Sequence, residues 1–270
     1  MLNDVAKNIG GFEGNAQTFR ILVKLEPKVY VNGQRGGLNL IRATLDAVIK
    51  YPWGSAEAAE KGTTKFNVYD DDLDVYDFVR KYTPSLKSRS KCIEAQIMDL
   101  ADDISYSTHD IEDALVSGAF DRLTKAGVIN FVYDKSYESA AKLKNFASSL
   151  IGRFINLTIN ETMISGISNT SFVRYSSSLV VPKVVLDEIK LLMAFSAAFV
   201  MMPRNEGNEH IVERETIESL VDFYSNPTNL DPQFNQLINN ATTDDDYLRI
   251  VVDQIACLTD FSAKAFTSLL

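Results

Sequence analysis

The stretch from Arg89 to Phe120, RSKCIEAQIMDLADDISYSTHDIEDALVSGAF, constrains this chain more than any other. Laid on a helix at about 100° per residue, Ile93, Ile97, Leu100, Ile104, Ile111 and Leu115 share one narrow arc, which predicts the buried side. Nearly opposite lie Asp99, Asp102, Tyr106, Asp110 and Asp113, with small Ala95 on the same line. No Lys or Arg occurs between Cys92 and Arg122, so these carboxylates lack the i,i+4 cations common on surface helices. Such a row suits either a solvated face or a metal ion or polyhydroxylated ligand, and the residues alone leave both open.

The rest of the chain is helical in pattern. A helix is predicted over about Asn15–Leu25, ended by Glu26-Pro27. A small β-hairpin fits near residues 28–37 and a helix spans Leu38 to Lys50. Ser55 to Asn67 reads as a mobile polar loop, and Asp70-Asp71-Asp72 as the cap of the next helix. Gly118 closes the acidic helix. Further helices are expected at Tyr137–Ile164, from Pro182 to Met202, at Ile211–Tyr224, at Pro232–Asn239 and from about Asp245 to Leu270. The apolar run Leu191–Met202 reads as a buried helix, too short to span a bilayer. No repeat of 20 to 50 residues is visible.

A net charge of -9 gives no strong nucleic-acid signal, because non-specific affinity for phosphate backbones comes from Lys and Arg. Cys92 and Cys257, far apart in apolar helical patterns, suggest reduced thiols and a cytoplasmic protein. The N-terminal MLNDVAKNIGGFEG has no apolar signal-peptide core.

The segment ADDISYSTHDIEDAL (Ala101 to Leu115) resembles the part of the dGTPase-like deoxynucleoside triphosphate triphosphohydrolases of the HD superfamily that supplies their last metal-ligand aspartate. GGFEGNAQTFRIL, GLNLIRATLDAVIKYPW, KFNVYDDD and EAQIMDLADD resemble the same family in the same order. The resemblance is close over roughly the first 120 residues and diffuse beyond. It implies an all-α, irregular multi-helix HD-type bundle, truncated at its N-terminus, with residues 1–127 as the remainder of the hydrolase core and 128–270 as a helical region packed on it.

The resemblance also implies the chemistry: hydrolysis of a dNTP, of dGTP type, to deoxynucleoside and tripolyphosphate with a divalent metal, Mn or Mg. Asp102 matches the last metal ligand. Tyr106 and Asp110 match residues that read the 3'-hydroxyl and crowd out a 2'-hydroxyl. At i, i+4 and i+8 the three share one helical face about 12 Å long. Asn15 and Gln17 match amides near the substrate, or line the start of their helix. Lys50 matches a phosphate-binding residue, or answers the helix dipole at a C-terminal turn. Tyr51, Trp53 and Tyr69 pack by the base in that reading, or belong to the core.

The family's first histidine and His-Asp pair belong ahead of GGFEGN. Here only 14 residues precede Asn15, and none is His. His109 and His210, the two histidines, read as surface or capping residues. The expectation is therefore a C-terminal portion with no complete catalytic set, inactive alone, that forms a homo-oligomer or joins a separately encoded HD half. The alternative is a non-catalytic nucleotide-binding or assembly subunit. No membrane association is expected.

Overall fold

The computed structural model describes residues 1–31, 34–84, 88–121, 125, 127, 132–164, 174–202 and 209–267, with backbone only at 31, 34, 35, 164, 209, 210 and 267. The helices are α1 (Leu2–Val5), α2 (Gly14–Arg20), α3 (Arg42–Ala47), α4 (Ser55–Glu60), α5 (Leu73–Arg80), α6 (Ile93–Val116), α7 (Tyr137–Ile164), α8 (Lys183–Ser196), α9 (Glu209–Tyr224), α10 (Asn235–Asn240), α11 (Asp244–Ala256) and α12 (Asp260–Thr267). The fold is all-α, as the hydrophobic periodicity predicts. A two-stranded antiparallel hairpin, β1 (Tyr30–Val31) and β2 (Gln34–Arg35), sits within the expected residues 28–37, with Tyr30 opposite Arg35.

Two compact units emerge. One combines Met1–Ala95 with His210–Leu270, and the other is Gln96–Glu209. This spatial partition differs in kind from the division at residue 127, which rests on resemblance.

In the first unit, one apolar cluster joins Leu25 to Leu220, Tyr224, Phe234 and Val251, so the two ends of the sequence share a core. A second gathers Phe19, Leu45, Ile49, Val68 and Tyr76, and a third Ala16, Ala58, Phe66 and Tyr69. Helix α2 starts on Glu13, whose carboxylate accepts from the backbone N–H groups of Asn15 (2.6 Å) and Ala16 (3.2 Å). It runs into a π-turn, Ile21–Leu25, where the carbonyl of Leu22 accepts from the N–H of Leu38 at 2.9 Å. Only glycine fits at position 37: its φ is +54°, and a Cβ would lie 2.2 Å from that carbonyl.

The second unit packs α6, α7 and α8 around Ile104, Phe154, Val185 and Ile189. Phe120 meets Phe195 and Phe199 edge-on, and those two rings stack 5.8 Å apart. A π-turn, Ala197–Met201, follows α8. Gly118, at φ +77°, ends the acidic helix as expected, with the N–H of Ala119 bonding back to Ala114.

Several expectations need correction. Ser55–Asn67 is not a loop throughout: its alanines support α4, Ala58 is buried against Phe66 and Tyr69, and Asn67 is buried too. The helix expected from Leu38 to Lys50 is only Arg42–Ala47, because Gly37 and Asn39 take positive φ and the chain turns again after Val48. Lys50 therefore lies beyond the helix end, and the dipole account of it fails. Asp72 occupies the cap position of α5 but makes no capping hydrogen bond. The last helix breaks at Cys257–Thr259, where Thr259 and Ser262 cap a new start. Leu191, Met201 and Met202 are exposed, so the apolar run is not a buried helix. On α6, Ile97 is exposed while Ala95, Ser107, Thr108 and Glu112 are buried. The Ser107 and Thr108 hydroxyls return to the carbonyl of Ile104, at 3.0 and 2.7 Å, which lets them leave water.

Candidate functional site

Asp102, Tyr106 and Asp110 lie on α6 in the second unit, and Asn15, Gln17 and Lys50 lie in the first. On α6, Asp102 and Asp110 are half-buried and Tyr106 is 60% exposed. The Asp110 carboxylate accepts, at Oδ2, a hydrogen bond of 2.7 Å from the hydroxyl of Ser196, the last residue of α8. On another face of α6, buried Glu112 takes Lys144 from α7 and, at 3.5 Å, His109. The Lys144 hydrogen bond is the main cause holding the Glu112 carboxyl below the usual range. The His109 side chain is exposed, as expected of a surface histidine.

In the first unit the EGNAQ segment is built into a closed polar network. Asn15 Nδ2 donates to Glu13 Oε1 at 2.9 Å, and Lys65 reaches the same oxygen at 3.3 Å. The Tyr69 hydroxyl accepts from the Glu13 N–H at 3.2 Å and lies 3.3 Å from both the Glu13 carbonyl and Gln17 Oε1. Gln17 Nε2 donates to Asp253 of α11 at 2.9 Å. Both ends of the Gln17 amide are thus engaged inside the unit. Asn67 joins the start of α2 to the turn bearing Lys50: its Nδ2 donates to the carbonyls of Asn15 (3.2 Å) and Val48 (3.4 Å), and its Oδ1 accepts from the N–H of Tyr51 (2.8 Å). Lys50 itself is half-buried.

Arg20 stands at the centre. Its Nε lies 2.9 Å from both oxygens of Asp253, and its Nη1 bonds Asp72 at 2.9 Å. Lys24 supplies Asp72 with a second cation at 2.7 Å. Burial works against the Arg20 charge, but Asp253 and Asp72 outweigh it and hold the guanidinium protonated. Burial pushes the Asp253 carboxyl upward, and Arg20 and Gln17 oppose that push. Tyr69, buried beneath the Arg249 guanidinium 4.0 Å from its ring, is pushed up to about 12 chiefly by burial.

Among the described residues no group of three or more His, Cys, Asp and Glu side chains is placed to hold a metal ion. Catalytic divalent ions take several protein ligands, so the donor set found here does not by itself fit such an ion around Asp102. A cavity of about 690 Å³ in the first unit is lined by Met1, Ile211 and the Glu213–Glu218 side of α9, and none of the six expected residues lines it.

Ser196, Arg20 and Asp253 were missed from sequence. Ser196 and Asp253 carried a signal: each is a polar residue inside an apolar run, LLMAFSAAFVMM and RIVVDQIA, where a buried polar group needs a partner.

No described helix is long and apolar enough to cross a membrane. A family described as the phosphohydrolase-associated domain matches residues 179–268, which include Ser196 and Asp253. Three relatives carry the name deoxyguanosinetriphosphate triphosphohydrolase-like protein. That of Bifidobacterium longum is 38% identical over all of this chain and 65% of its own length. That of Streptomyces coelicolor is 38% identical over 98% of this chain and 70% of its own. That of Corynebacterium glutamicum is 34% identical over 96% and 69%. The chain spans about two thirds of the length of these curated relatives. With this identity and coverage, and with its helical fold, the chain belongs to the deoxyguanosinetriphosphate triphosphohydrolase-like family.

Proposed function

We propose that this chain is part of a dNTP triphosphohydrolase of dGTP type, which converts a dNTP and water into a deoxynucleoside and tripolyphosphate. What supports this most is the i, i+4, i+8 row of Asp102, Tyr106 and Asp110 on the uninterrupted helix α6 of a chain in this family. In this reading Asp102 is one ligand of a divalent metal, Mn or Mg, and the remaining ligands come from polypeptide outside this sequence. Tyr106 and Asp110 meet the deoxyribose, and Lys50 the phosphates. Asn15 sits near the substrate. Gln17 acts through its buried hydrogen bonds to Asp253 and Tyr69, holding the start of α2 in place.

Because one carboxylate cannot hold a catalytic ion, the chain alone is expected to bind dGTP and hydrolyse nothing. Purified chain incubated with dGTP and Mn²⁺ or Mg²⁺ tests this. Stoichiometric release of deoxyguanosine and tripolyphosphate would refute the inactive-alone reading. The same donor set favours a second reading, a non-catalytic nucleotide-binding or assembly subunit. Co-expression with a polypeptide carrying the HD motif separates the two. Gain of hydrolysis supports the enzyme, and a change of oligomer size without hydrolysis supports the subunit.

A further inference from the structure

We propose that Ser196 is a positioning residue that sets the chain's preference for a sugar 3'-hydroxyl by orienting the Asp110 carboxylate. The inference rests on the reading of Asp110 as a sugar-facing residue.

Ser196 is 1% exposed. A hydroxyl so placed must find an acceptor within the protein, and it finds Asp110 Oδ2 at 2.7 Å, the short distance typical of an O–H donor to a charged oxygen. The two ends of this contact are fixed from both sides along α6. On the N-terminal side Ile104 and Leu100 pack with Val185, Ile189 and Met193 of α8. Beyond the C-terminal end of α6, Phe120 meets Phe195, the residue before Ser196 on α8, and Phe199 of the π-turn that follows.

An unbonded carboxylate turns easily about its last torsion, so either oxygen could face a ligand in many orientations. With Oδ2 tied to a buried hydroxyl, the torsion that aims Oδ1 is held, and Oδ1 keeps its acceptor capacity. A ligand hydroxyl reaching Oδ1 then meets an acceptor already in place, and its bond carries none of the ordering cost of a mobile side chain. The group so selected is a hydroxyl donor on the sugar, since Asp110 as a carboxylate can only accept.

The test uses the full chain with Mn²⁺ and two nucleotides, dGTP and 2',3'-dideoxyGTP, which lacks the 3'-hydroxyl, with affinities measured by calorimetry. The parent chain is expected to prefer dGTP. Ser196→Ala should lower dGTP affinity about tenfold, an ordinary hydrogen bond's worth, and leave the dideoxynucleotide unchanged. Ser196→Thr, which keeps the hydroxyl, should keep the preference. Should Ser196→Ala fail to fold by circular dichroism, Ser196→Cys, close in size and a weak donor, carries the same expectation. An unaltered preference in Ser196→Ala overturns the inference while the proposed function stands. Equal loss of both nucleotides also overturns it, because Ser196 would then be structural only. A parent chain with no preference for dGTP removes the sugar-facing role of Asp110, and the inference falls with it.

Discussion

The two units handle buried carboxylates in opposite ways. In the first, Asp72 and Asp253 are fully buried, and Arg20 and Lys24 close over them with two or more hydrogen bonds each. In the second, Asp102 and Asp110 of α6 are half-buried, Asp110 meets a neutral hydroxyl, and the cation that reaches buried Glu112 is an exposed lysine from another helix. A buried charge matched on every side holds a fold together and offers nothing to a ligand. A half-buried carboxylate with a neutral partner keeps acceptor capacity for one. By that criterion Asp72 and Asp253 serve the architecture of the first unit, and Asp110 is the carboxylate left with acceptor capacity.

Breaking one partner in each unit gives the largest contrast. Arg20→Met leaves Asp253 buried without its guanidinium, and removing one member of such a set costs about 3–5 kcal/mol. Lys144→Met removes a mostly exposed partner from Glu112 and should cost less than about 1 kcal/mol. Urea midpoints measured for both variants decide the matter, and equal losses would erase the distinction between the units.

Alkaline titration sharpens it next. The phenols of Tyr69, Tyr76, Tyr224 and Tyr247, all in the first unit, are each pushed above their ordinary range, chiefly by burial. A raised phenol favours the protonated folded state. Its contribution is complete below the unfolded value of about 10 and is lost as pH rises toward the folded value of about 12 at Tyr69. For Tyr69 alone this amounts to roughly 2–3 kcal/mol. The lone tryptophan, Trp53, packs beside Tyr69 in the first unit, so its fluorescence should report that unit loosening between about pH 10 and pH 12. Tyr69→Phe should flatten the slope.

How much of this was legible in the sequence depended on how local the cause was. The helices Tyr137–Ile164 and Glu209–Tyr224 emerged close to their expected bounds because long apolar periodicity and flanking breakers decide them. The Leu38 helix did not, because Gly37 is committed to a close approach by the carbonyl of Leu22, a tertiary fact. Asp72 looked like a cap because caps are local; its partner Arg20 lies 52 residues away. Of the candidate site, the helical row on α6 could be read from spacing alone, whereas the Ser196 hydroxyl, 86 residues from Asp110, could not.

The smallest expected effect on stability is the most telling about function. Tyr106 is 60% exposed on α6, between two half-buried aspartates. Removing its hydroxyl in Tyr106→Phe should change the urea midpoint by no more than about 0.5 kcal/mol, as at other surface positions. If the phenol meets the deoxyribose, the same change should weaken dGTP binding several-fold. If Tyr106 were instead part of the second unit's architecture, stability would fall and nucleotide affinity would follow only as far as folding did. Measuring both on one variant separates these cases, because a solvated tyrosine has no reason to affect either, a structural one affects stability first, and a ligand-facing one affects affinity alone.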